Sequence, residues 1–168
     1  PVESRFGDIF LFDGLHFVCY FRSTEMGNLT DILTARFNAH CPEVAAGEDL
    51  GLVAIFSEAR NVLTALSSVA TIVRDVVIDC SYDVHYDAHN GRLVGKVVDK
   101  VRALSDSILP GATGIISCDA LERICRQDSG AKQKYNFQTM DRLPLFPYEV
   151  FYSISAPGID LRRIVSAP

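Results

Sequence analysis

The sequence predicts one α/β (α+β) domain, a mixed sheet with helices packed on it, and three observations carry that expectation. Short apolar runs of strand length alternate with stretches whose apolar residues recur at helical spacing. Gly, Pro and Asn-Gly signals punctuate the boundaries between them. The 168 residues, 48% hydrophobic and 22% charged, suffice to bury a core without disulfide or metal staples.

Composition also narrows the function. Sixteen Lys+Arg against 21 Asp+Glu leave a formal charge of −5. Nonspecific duplex binding rests on an excess of basic residues, so nucleic acid is not an expected partner. Residues 1–10 offer neither the basic nor the apolar segment of a secretory leader, and no apolar run is long enough to cross a bilayer. A cytoplasmic protein with no membrane partner is expected. The five cysteines (Cys19, Cys41, Cys80, Cys118, Cys125) contain no C-x-x-C pair and are expected to be reduced thiols.

Residues 9–15 (IFLFDGL) are β-formers interrupted by Asp13-Gly14, which predicts a strand ending at a turn. Residues 17–21 could continue a hairpin or begin a helix. Residues 28–40 carry Leu29, Ile32, Leu33, Arg36 and Phe37 at helical spacing, and Cys41-Pro42 stops them. After the polar turn Gly47-Glu48-Asp49, residues 50–56 (LGLVAIF) predict a strand. Ser57 then caps a helix with Ala59, Val62, Leu66, Val69 and Val73 on one face.

Residues 75–84 begin as a buried strand, and Asn90-Gly91 signals a turn. A helix is expected over 94–108, with Val97, Val98, Val101, Leu104 and Ile108 inward. Residues 113–117 predict a strand, and Ser117 caps a short helix over 119–126. Pro144 and Pro147 bracket a turn before a final strand over 148–154. One domain over 1–156 and a C-terminal tail over 157–168 are expected.

From Gly47 onward several strings resemble the catalytic domain of class III nucleotidyl (adenylate/guanylate-type) cyclases. Gly47-Glu48-Asp49 followed by Leu50 to Phe56 resembles the family's Gly-Asp turn and short strand. The strand ending at Asp13, with Phe17 beyond it, resembles the first metal-binding strand. Gly95-Lys96-Val97-Val98-Asp99-Lys100-Val101-Arg102-Ala103-Leu104 is similar to the family's Gly-x-x-Val-Asn-x-Ala-x-Arg-Leu helix, and Pro147-Tyr148-Glu149-Val150-Phe151-Tyr152 to its closing strand.

The resemblance implies a ferredoxin-like mixed sheet and cyclisation of a nucleoside triphosphate. The ribose 3′-hydroxyl attacks the α-phosphorus and pyrophosphate leaves. Two divalent cations (Mg²⁺ or Mn²⁺) need carboxylates converging on one point, for which it implies Asp13 and Asp49, 36 positions apart, with Glu48 as substitute. It further implies Arg102 against phosphate, Asp99 and Arg92 near ribose and base, Lys96 beside the substrate, and a homodimer whose sites draw on both subunits. Asp99 stands where the family has Asn, Ala103 where it has Arg, and Arg92 where it often has an acidic base reader. Two readings stay open. One is a divergent cyclase, of which the anti-phage pyrimidine cyclases (UTP or CTP) are the subgroup named. The other is a non-catalytic dimerisation or nucleotide-sensing module.

Simpler roles stand beside these. Asp13 and Asp49 also suit ordinary surface turns. Asp83, His85, Asp87 and His89 would share a strand face, and a solvated hairpin tip is favoured over a metal site. Lys96, Lys100 and Arg102 suit the outer face of a helix.

Overall fold

A computed structural model describes residues 2–12, 14–22, 44–48, 51–69, 75–108 and 112–155. Seven strands form the main sheet, in the order β10-β11-β9-β6-β3-β5-β4: β3 (His16–Arg22), β4 (Val44–Glu48), β5 (Gly51–Phe56), β6 (Asp75–Ser81), β9 (Gly114–Ser117), β10 (Asn136–Thr139) and β11 (Phe151–Ser155). All neighbours are antiparallel except β6 and β9. The interleaved order β6-β3-β5-β4 is that of a ferredoxin-like sheet. A second sheet, β1-β2-β7-β8, joins β1 (Val2–Phe6), β2 (Ile9–Phe12), β7 (His85–Asp87) and β8 (Arg92–Val94).

Alternation along the main strands feeds two cores. Phe17, Cys19, Phe21, Leu52, Ala54 and Phe56 face α1 (Ala59–Val69) and α3 (Cys118–Gln127). Val18, Tyr20, Val53, Ile55 and Val77 face α2 (Lys96–Leu104) and the small sheet, which contributes Phe12 and Leu93. The result is three layers. A further short helix, α4 (Ala131–Lys134), precedes β10.

The expected helices at Ser57 and Ser117 form, the second with Ser117 Oγ accepting from Ala120 N at 3.2 Å. Val97, Val98, Val101 and Leu104 of α2 are buried as the spacing requires, and a 3-10 turn (Ser105–Ser107) ends the helix. Two expectations are corrected. Residues 9–12 form a strand of the small sheet, whereas residues 16–22 form the central strand. The physical reason is burial: β2 buries only Phe12, while six of the seven residues of β3 are buried. The last strand starts at Phe151, because the chain over 144–148 turns and leaves Tyr148 93% exposed. Residues 131–134 form the short helix α4. The helix expected over 28–40 lies outside the described residues.

Candidate functional site

Helix α2 starts where the chain leaves β8. Gly95 takes φ 152°, in the region that favours glycine, and a Cβ there would meet Asp83 O at 3.0 Å. This close approach seats the first turn of α2 against the link between β6 and β7. Positions 99 and 102, three apart on the helix, then share a face. The Asn90-Gly91 turn brings Arg92 of β8 beside them.

Asp99, Arg102 and Arg92 line one cavity of about 180 Å³, together with Asp87, Asn90 and Val98. Arg102 Nη2 donates to Asp99 Oδ1 at 3.0 Å, and Arg102 Nε donates to Val98 O at 3.5 Å. Asn90 Nδ2 donates to Asp87 Oδ2 at 2.6 Å. That bond, with backbone donors from Asn90 and His89, holds the exposed Asp87 carboxyl below its ordinary range. The structure thus brings together three of the residues nominated from sequence. Lys96, exposed at the start of α2, is not among those lining the cavity.

Asp13 and Asp49 lie outside the described residues. Gly14 stands before the start of β3, while Gly51 pairs with Arg22 at its end. Seven strand residues separate these flanks, about 20 Å. Among the described residues no three His, Cys, Asp or Glu side chains are placed to hold a metal ion, the 83–89 face included.

Two buried charge networks escaped the sequence reading. Lys100, expected on the outer face, reaches inward: its Nζ lies 2.7 Å from Asp79 Oδ2, contacts Glu149, and sits 5.6 Å from the ring centroids of Phe146 and Phe151. Asp79, 4% exposed, also accepts from Ser117 Oγ at 2.6 Å. At the other end of α2, Arg22 donates to Asp75 (3.0 Å), Asp106 (3.1 Å) and the carbonyl of Ser105 (3.1 Å). An Asp inside the apolar run 76–80 was the available signal for the first network.

A larger concavity, about 560 Å³, opens beside α3 between Tyr82, Asp83, Asp119, Glu122, Arg123 and Arg126. Burial pushes the Cys80 thiol at its edge up to about 11, which leaves it a poor nucleophile. Cys19, Cys80, Cys118 and Cys125 are free thiols.

No protein-family model and no curated protein matches the sequence. Solved structures do match in fold. An adenylate/guanylate cyclase/hydrolase from Silicibacter pomeroyi is 12% identical, over 86% of this chain and 97% of that one, with a TM-score of 0.59. A bacterial light-regulated adenylyl cyclase is 13% identical, over 90% of this chain and 55% of that one, with a TM-score of 0.55. The protein has the fold of adenylate/guanylate cyclase-type proteins, the class III cyclase fold.

Proposed function

We propose that the protein binds a nucleoside triphosphate at the cavity between α2 and β8, and converts it to a 3′,5′-cyclic monophosphate and pyrophosphate. The observation that supports this is the convergence of Arg92, Asp99 and Arg102 on one cavity in a chain of cyclase fold. Asp99 and Arg102 present a paired carboxylate and guanidinium where ribose and phosphate would lie. No catalytic step is assigned to Asp13 or Asp49. A homodimer belongs to the proposal, because the cyclase resemblance implies sites that draw on both subunits. Arg92 in place of an acidic base reader favours a pyrimidine nucleotide and, with it, a place in anti-phage signalling.

The test is incubation with each of the four nucleoside triphosphates and Mn²⁺, with products identified by mass spectrometry. A cyclic monophosphate that disappears in Arg102→Ala supports the proposal, and absence of any cyclic product overturns the catalytic part. A second reading, a non-catalytic nucleotide-sensing module, is favoured by Ala103 at the expected arginine position and by the engagement of Arg102 with Asp99. A nucleotide-dependent rise in melting temperature without product would select it.

A further inference from the structure

The concavity beside α3 is separate from the cavity between α2 and β8: no described residue lines both. The link between β6 and β7 forms one wall, and the first turns of α3 form the other. At about 560 Å³ it falls within the ~300–1,000 Å³ of small-molecule clefts. Half-buried Leu15 and Cys80 contribute apolar surface.

Its charges are unevenly satisfied. Glu122 and Arg126, one helical turn apart, meet at 3.7 Å and offset each other. Asp119 and Arg123 are also four positions apart, yet Arg123 is engaged elsewhere: its Nη2 donates to the Tyr82 phenol oxygen at 3.4 Å. Asp119 makes no ion pair or side-chain hydrogen bond among the described residues. On the other wall, the Ser81 hydroxyl donates to one carboxylate oxygen of Asp83 and accepts from Asp83 N at 3.1 Å, which fixes that side chain. Two carboxylates, Asp83 and Asp119, therefore stand against one guanidinium, Arg123.

A ligand that balances this set carries one anionic and two cationic groups. A carboxylate would take the remaining N–H donors of Arg123 and the O–H of Tyr82, whose oxygen already accepts. Asp119 and Arg123 share a helix face with Cβ atoms about 5–6 Å apart, which suits an anion and a cation on adjoining atoms. An α-amino acid has that arrangement, since its carboxylate and ammonium share one carbon. We propose that the cavity binds a free α-amino acid with a cationic side chain. Its carboxylate lies on Arg123 and Tyr82, its α-ammonium on Asp119, and its side-chain cation on Asp83.

The test is calorimetric titration of the full chain with L-lysine and with analogues that each lack one charge: cadaverine (no carboxylate), ε-aminocaproate (no α-ammonium) and norleucine (no side-chain cation). The analogues probe the contacts without altering the protein. Lysine should bind, and loss of its carboxylate or α-ammonium should weaken binding roughly 10-fold or more, the worth of a hydrogen bond to a charged group. Norleucine should bind about 2- to 5-fold more weakly than lysine, because Asp83 is exposed. Arg123→Gln should weaken lysine as removal of the carboxylate does and leave cadaverine unchanged. Asp119→Asn should weaken lysine and leave ε-aminocaproate unchanged, with an unchanged melting temperature as the control for folding in both variants. Absence of lysine binding, cadaverine bound as tightly as lysine, or a lysine affinity unmoved by Arg123→Gln overturns the proposal. Norleucine bound as tightly as lysine removes Asp83 from its role and with it the cationic side chain. None of these outcomes depends on nucleotide binding at the other cavity.

Discussion

Lys100 on α2 meets Asp79 on β6 at 2.7 Å, and this contact fastens the helix that carries Asp99 and Arg102 to the main sheet. Asp79 also accepts from Ser117, the N-cap of α3, so one carboxylate holds two helices on opposite faces of the sheet. Removal of Lys100 leaves that carboxylate buried without its cation. Lys100→Met should destabilise the protein by about 3 kcal/mol or more, a fall of roughly 6–12 °C in melting temperature for a chain of this size. In a double-mutant cycle with Asp79→Asn, the second substitution should cost less than it does alone.

The same pair sets an alkaline limit. Burial pulls the Lys100 ammonium down, but hydrogen bonds and charges from Asp79 and Glu149 outweigh it and raise its pKa above the ordinary lysine value. A proton held more tightly by the folded chain stabilises it fully below the unfolded pKa, about 10.4, and that contribution is lost as pH rises through the folded value. The stability gap between wild type and Lys100→Met should be flat around neutral pH and should close above about pH 10.4. A gap independent of pH up to the alkaline unfolding limit would contradict this.

Arg22 separates buried from exposed ion pairing. Its partner Asp75 has a side chain 4% exposed, whereas Asp106 is 81% exposed. Arg22→Met should cost about 3–5 kcal/mol in urea unfolding, because Asp75 loses its cation. Asp106→Ala should cost under about 1 kcal/mol. Equal losses from the two variants would contradict the assignment.

Gly114 has no room for a side chain. A Cβ there would lie 2.2 Å from the carbonyl oxygen of Val76 on the neighbouring strand. Gly114→Ala must push β9 away from β6, the one parallel pair among the described strands. A loss of at least about 1–3 kcal/mol is expected, read as a lower urea midpoint.

The charge of the cavity can be tested by carboxyl NMR. The Asn90 side chain is the largest cause of the lowered Asp87 pKa. In Asn90→Ala the Asp87 titration midpoint should move up toward the ordinary aspartate value. An unchanged midpoint would show that the backbone donors alone hold it.

Much of the fold was legible because local pattern and tertiary burial agreed. The helical spacing of Val97, Val98, Val101 and Leu104, and the cap at Ser117, needed no distant partner to be read. The central position of β3 was not legible: HFVCYFR is apolar on both faces, and only neighbours far along the chain decide that it sits between β5 and β6. Lys100 was misplaced for a related reason. A lysine on an amphipathic helix defaults to solvent, and the buried Asp79 that reverses the default is 21 positions away. Asp99 and Arg102 were found through the α2 string and Arg92 through the position the resemblance gives to the base, whereas Asn90 and Asp87 joined them only through the β7–β8 hairpin.

The central claim, nucleotide binding at the α2–β8 cavity, is tested most directly by photo-crosslinking with a base-azido nucleoside triphosphate, followed by peptide mapping. Label on peptides containing residues 87–102, competed by unmodified nucleotide and lost in Arg102→Ala, is the predicted result. Label that maps instead to residues 119–126 beside the larger concavity, or that unmodified nucleotide does not compete, would contradict the account.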